Sequence, residues 1–343
     1  MIQLLTWSVI GLATVFVSLV ATIVTRRFLA DRRRRRERSL RPAIETAMVE
    51  HLAADDPEPM PAPAGKAARD LLRTVALETM AELRGRERLR LVALLERSGI
   101  VAETAAGLGS RRRRARRAAA EALRQIGSEE AVRSLLAGLG DPDLDTRLTC
   151  AAALAELADE ELVPAVLAIA DRAASDRAGA VAAILVTLGR RHPSTLGGAL
   201  APGASPELRR LAAAVTGELR LAEHVLALRE ALGSEDDELA ARAARGLGAI
   251  GDAEAVDLLL GPIEDDSRAS FVRLAATGAL GAIGDPRSVG PLEHELHSAG
   301  WLLQSKAAQS LRLLGMTGEE ALRRALGSPV TAVRDHARVA LER

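Results

Sequence analysis

GLGAIGD, residues 246–252, contains Gly-x-Gly-x-x-Gly. That spacing can mark a dinucleotide loop, in which glycines let the backbone approach a pyrophosphate at a helix N-terminus. Such a loop follows a strand and opens a helix. Here the preceding ELAARAAR (238–245) is Ala- and Arg-rich without a β-branched run, which reads as helix. LGAIGD at 247–252 also returns as LGAIGDP at 280–286. A cofactor loop has no reason to recur in this way, whereas a structural repeat does.

Taking Ile250 as an anchor and stepping along the chain gives equivalent positions at Ile126, Leu157, Leu188, Leu219, Ile283 and Leu314. The intervals in chain order are 31, 31, 31, 31, 33 and 31 residues. Leu95 is a weaker member upstream. A fixed period in this range signals a solenoid. Each unit opens with a helix of Ala and Leu, as in RRAAAEALRQIG and VRLAATGALGAIG. A Gly then ends the helix in the left-handed conformation. An acidic start to a second helix follows, as in GSEEAV, GDAEAV and GDPRSV. On this reading Gly246 and Gly248 allow close helix packing and Gly251 ends the helix, so GLGAIG is not a phosphate cradle.

The stretch VRLAATGALGAIGDPRSVGPL (272–292) resembles the HEAT repeat, in a variety similar to the bilin-lyase-type HEAT-like repeats. The resemblance covers roughly residues 85–343 and implies a helix-pair α-solenoid. Arg at the start of the first helix (Arg116, Arg147, Arg209, Arg273) and Asp after its Gly (Asp252, Asp285) match the pattern. The 176–206 unit departs from it, because RRHPSTLGGALAPGASP offers a poor second helix; a kinked or loosened repeat is expected there.

The composition agrees with an all-α array. Aromatic residues make up 1% of the 343, so a core must be built from Leu, Ala and Val, which suits helices better than a sandwich or barrel. The single Cys150 excludes an intrachain disulfide and a multi-cysteine metal site, and LTCAAALAEL reads as a small buried position.

The formal net charge is zero, yet Arg26, Arg27, Arg32, Arg33, Arg34, Arg35, Arg36, Arg38 and Arg41 face only Asp31 and Glu37 within 26–41. Before them, residues 1–25 carry no charged side chain and are long enough to cross a hydrocarbon core of about 30 Å. Charge after the apolar run, rather than before it, reads as an uncleaved transmembrane anchor and not a signal peptide. The expectation is a single-pass cell-membrane protein, N-terminus outside and repeats cytoplasmic. The arginines then either set topology alone or also lie on anionic lipid headgroups. The remaining expected boundaries are a short helix and Pro-rich linker at 42–65, a capping helix at 66–84 and the array at 85–343.

Chemistry is sparse. HELH (294–297) is the only place where two of the six His come close, and a metal site would need more ligands. GK at 65–66 lacks the rest of a P-loop. RRRRARR (111–117) opens a first helix and reads as a solvated face or as a contact for an acidic partner or membrane. With only Phe271 and Trp301 as aromatics beyond residue 28, base stacking has little to work with, which argues against nucleic acid. No cofactor, metal or small-molecule substrate is expected. The leading expectation is a membrane-anchored scaffold that binds a protein partner, such as a membrane enzyme, without catalysis. Its second helices would line the binding surface, with Arg133, Asp257, Glu293 and His294 as candidate contacts. The alternative is a HEAT-like enzyme of the lyase or DNA-glycosylase kind, which would need a pocket of converging polar groups.

Overall fold

The computed structural model describes residues 16, 18–20, 22, 24, 25, 27, 28, 38–54, 65–157, 159–265, 267–298 and 300–342. Every regular element among them is helical. Contacts divide the chain into two units, 1–110 with 125–131 and 111–124 with 132–343.

The first unit holds α1 (38–53), α2 (Lys66–Met80), α3 (Gly85–Arg97) and α4 (Ile100–Ala106). Its core is aliphatic: Ile44 and Met48 of α1, Leu72 and Val75 of α2, Leu91 and Leu95 of α3, and Ile100 and Val101 of α4 are buried. Arginines tie the helices together. Arg90 donates to the Leu52 carbonyl at 2.7 Å, and Arg88 to the Gln125 carbonyl at 2.8 Å.

α5 (Arg113–Ile126) and α6 (Glu129–Gly138) follow. The second unit then runs as helix pairs: α7 (Leu144–Leu157) with α8 (Val163–Ala173), α9 (Ala178–Arg191) with α10 (Leu196–Leu200), and α11 (Pro206–Glu218) with α12 (Val225–Leu232). It continues with α13 (Asp237–Ile250) and α14 (Val256–Glu264), α15 (Ser270–Ile283) and α16 (Val289–Leu296), α17 (Trp301–Leu313) and α18 (Met316–Ala325), and ends on α19 (Thr331–Leu341). First helices stack on first helices in one layer, while second helices form a layer that packs more lightly. Each helix buries its Ala and Leu stripe against its neighbours, as at Leu239, Leu247, Leu280 and Leu311.

The glycines of the opening motif do what helix packing requires. A Cβ added at Gly248 would lie 2.7 Å from the Cα of Ala279, and one at Gly217 would lie 2.6 Å from the Cα of Gly246. Gly251 and Gly284 end α13 and α15 with φ of 83° and 78°, the left-handed geometry that glycine adopts without a steric penalty. The rule that Gly ends each first helix fails three times, first after α7, where Leu157 is followed in sequence by ADEE. Gly189 is buried inside α9, which continues to Arg191, and a Cβ there would meet Leu219 and Leu196 side chains. After α11 the left-handed residue is Arg220, with φ of 53°.

The arginines near the starts of the first helices act as latches. Arg147 and Arg209 donate to the carbonyls of Asp141 and Leu200, at 2.7 and 3.2 Å. Arg116 reaches both carboxylate oxygens of Asp141, at 2.7 and 3.0 Å. Cys150 is fully buried, and desolvation pushes its thiol up to about 12. The second helix of the 176–206 unit is short: α10 has only five residues.

One expectation is corrected. Among the described residues no helix is long and apolar enough to cross a membrane. This overturns the single-pass placement with outside N-terminus and cytoplasmic repeats. A crossing needs about 20 consecutive apolar helical residues, and within 1–25 the described ones are 16, 18–20, 22, 24 and 25. The rest of that segment lies outside the described residues, as do Arg26, Arg32 to Arg36 and the Pro-rich stretch 55–64. Arg27 and Arg38 are exposed. Arg41 bonds Glu45 and Glu78, each at 2.6 Å, so its charge is neutralised within the first unit.

Candidate functional site

The second-helix layer carries the four candidate contact residues, and the structure separates them into two kinds. Arg133 on α6 and His294 on α16 are exposed. Asp257 and Glu293 instead tie each repeat to the next: Asp257 on α14 pairs with Arg287 at 3.1 Å, and Glu293 on α16 pairs with Arg324 on α18 at 2.7 Å. One repeat earlier, Arg229 of α12 reaches Asp252 at 2.6 Å and Glu254 at 2.8 Å. These pairs form a ladder along the second helices. Each bridge is partly exposed and contributes little by itself, but together they set the register in which the surface is presented. Asp257 and Glu293 are not brought into one pocket.

HELH resolves by burial. Glu295 is 1% exposed and holds Arg273 of α15 at 2.9 Å, a bridge between the two helices of one repeat. His297 bonds the Glu293 carbonyl at 2.9 Å through Nδ1, which caps the end of α16. Among the described residues no group of three or more His, Cys, Asp or Glu could hold a metal ion.

Carboxylates at helix starts are held below their ordinary range. Asp285 is lowered by its bond from the Arg287 guanidinium and by the Arg287 amide. Burial works against Asp236, yet Arg210 and the Leu239 amide keep it lowered. These are capping and latching roles. Arg116 and Arg117, the last two members of the 111–117 cluster, meet Asp141 at 2.7 Å and Asp145 at 3.5 Å, so that cluster is partly engaged rather than wholly solvated.

Two concavities were not foreseen from the sequence. One, of about 660 Å³, opens in the second-helix layer where α10 is short; Val163, Leu167, Gly198 and Leu208 line it, with Glu160 and Asp171 at its edge. Asp171 accepts from the Ser205 amide at 2.9 Å and Glu160 from the Ser194 hydroxyl at 3.1 Å. The other, of about 430 Å³, lies on the first-helix layer over α15. Its walls carry Arg245 and Lys306. A helical repeat period reports neither, because each depends on how neighbouring units stand beside one another.

Paired helices stacked in two layers, latched by arginine and capped by glycine and aspartate, define a HEAT-type solenoid. The HEAT-repeat family matches at residues 101–185, 194–270 and 227–312, more than half of the chain, and the chain belongs to that family. A search of curated proteins gave no match. Among solved structures, Kap121p bound to Nup53p is 13% identical with a TM-score of 0.53, covering 88% of this chain and 37% of that one. The karyopherin Kap121p bound to the SUMO protease Ulp1p is 13% identical with a TM-score of 0.51, covering 80% and 37%. The chain thus spans well under half the length of these relatives, and the likeness is one of fold. Human deoxyhypusine hydroxylase is 18% identical, with 71% of this chain and 95% of that one covered, but the TM-score of 0.30 carries no argument.

Proposed function

We propose that this chain is an adaptor that holds a protein partner along the second helices of its HEAT array. The observation that carries the reading is the ion-pair ladder. It fixes successive second helices in register while leaving Arg133 and His294 exposed and Asp257 and Glu293 at the surface. A surface of that kind has an extent and pattern suited to a protein face rather than a small molecule. Kap121p, an array of the same fold, is seen bound to Nup53p and to Ulp1p, which supports a binding role. The second helices offer charged and imidazole groups at separate positions, an arrangement that distributes contact along a partner instead of focusing on one reacting atom.

The test is chemical crosslinking and capture with the tagged full-length chain in its own cells, comparing wild type with a combined Arg133→Glu, Asp257→Arg, Glu293→Arg, His294→Glu variant. The expected result is a partner recovered in proportion to the wild-type chain and lost from the variant, with thermal unfolding little changed because all four positions are at the surface. Equal recovery by both chains, or no partner in proportion to either, overturns the reading.

A further inference from the structure

The first-helix layer carries a feature that the adaptor reading does not use. α15 has one charged side chain, Arg273, and that residue turns inward to the buried Glu295. Its less buried positions on this face are Phe271, Leu274, Gly278 and Ala282, so between Phe271 and Ala282 only Leu274 is large. With so little side chain there, α15 forms the floor of a trough of about 430 Å³, edged by Arg245 of α13 and Lys306 of α17. A Cβ on Gly278 would come within 3.1 Å of the Lys306 Cε and 3.6 Å of its Nζ, so the end of the lysine side chain lies over Gly278 and carries its ammonium into the trough. The apolar character continues beyond the trough, where Phe271 is 38% exposed and Leu302 57%.

The charges at this edge differ from the other cations between residues 235 and 315. Arg229, Arg242, Arg268, Arg273, Arg287 and Arg312 from the same repeats each meet a carboxylate. Arg245 and Lys306 meet none among the described residues, and Lys306 is half-buried. Two uncompensated cations beside an apolar floor attract anionic groups more strongly than cations in open water. Because the floor is apolar, a complete ligand must also bring apolar side chains; a phosphate or sulfate would leave the floor wet.

We propose that this trough docks an acidic peptide segment of a protein partner, with an apolar side chain seated beside Leu274 and Ala282 and carboxylates on Arg245 and Lys306. The proposal rests on the reading of the chain as a protein-binding array, and it places a second contact on the layer opposite to the one that reading uses.

The test is selection of a displayed library of random linear peptides on the full-length chain, followed by binding of the synthesised consensus peptide. The expected consensus has Asp or Glu flanking Leu, Ile or Phe, and its affinity falls as salt rises. Arg245→Glu with Lys306→Glu should weaken it by about tenfold or more. Ala282→Trp fills the trough from an exposed position and should do the same without disturbing the core. Melting curves that match wild type for the Trp variant separate blockage from unfolding. The Asp257→Arg, Glu293→Arg chain should bind the peptide like wild type. Loss of the cellular partner in that chain with no peptide selected would sink this proposal alone and leave the adaptor reading standing. A neutral or basic consensus, an acidic peptide that binds all variants equally, or single-stranded oligonucleotide binding lost in the same variants would also overturn it.

Discussion

Along α11, α13 and α15 glycines sit where one first helix crosses the next, whereas in α10 they sit where a helix is cut short. At the first set of positions the backbones are so close that a Cβ on Gly281 would lie 2.5 Å from Ser310. In α10, a Cβ on Gly198 would meet only the Leu167 Cδ1, at an ordinary 3.6 Å. The first set trades helix propensity, about 1 kcal/mol per glycine relative to alanine, for packing. The second loses propensity without a packing return, and Pro202 then blocks extension, leaving Ala201 extended with ψ of 149°. Glycine content alone therefore does not tell a tight repeat from a loose one; what lies opposite the glycine does.

The severest way to break the tight region is Leu280→Asp. Leu280 is fully buried among neighbouring repeats, so the change buries an unpaired charge and should cost several kcal/mol. Limited proteolysis should begin near residue 280 and spare α7 to α9 at first, because each repeat rests chiefly on its neighbours. Simultaneous cleavage along the whole array would contradict nearest-neighbour stability. Gly248→Leu comes next, at about 1–3 kcal/mol, since α13 and α15 must be pushed apart. Its urea midpoint should drop while helix content at low denaturant stays near wild type.

How far the fold could be read from sequence follows from these same contacts. The repeat register, the left-handed ends at Gly251 and Gly284, the buried Cys150 and the weak second helix of the 176–206 unit all depend on residues a few positions apart, so the chain displays them. Ile283, a repeat-equivalent position, is half-buried while Leu280 is fully buried, a difference that the repeat period does not carry. The pairs Asp257–Arg287 and Glu293–Arg324 join residues about one repeat apart. No local pattern marks which of many Arg and Asp will face each other at that distance. The trough over α15 was hidden for a related reason: its floor belongs to one repeat and its charged edges to the two beside it.

A smaller effect probes the helix starts. Asp236 accepts from the amides of Glu238 and Leu239, at 3.1 and 3.2 Å, and from Arg210 at 2.8 Å. Its folded pKa is lowered, so it contributes stability above the unfolded Asp value of about 4, and that contribution is lost as pH falls through the folded value. The urea midpoint should therefore hold between about pH 7 and pH 5 and decline below about pH 4. Asp236→Ala should lower stability at neutral pH by about 1 kcal/mol and make the decline below pH 4 shallower. An unchanged acid limb in that variant would show that other carboxylates carry it.

The smallest expected effect has the opposite sign and bears most directly on the two uses of glycine. Gly198→Ala adds a methyl group where the nearest atom stands at normal contact distance, and Gly198 has no left-handed φ to disturb. The substitution removes freedom from the unfolded chain and adds helix propensity to α10, so it should raise stability by about 0.4–1 kcal/mol. Gly248→Ala should lower it, because its Cβ would lie 2.7 Å from the backbone of Ala279. The same chemical change thus yields a gain in one repeat and a loss in another, measurable as opposite shifts of the urea midpoint. If both variants lose stability, α10 is short because the fold needs it short, and the cleft beside it is a built feature instead of a gap left by poor helix formers. If both gain, the close approach between α13 and α15 relaxes at little cost, and the tight layer is not held by its glycines.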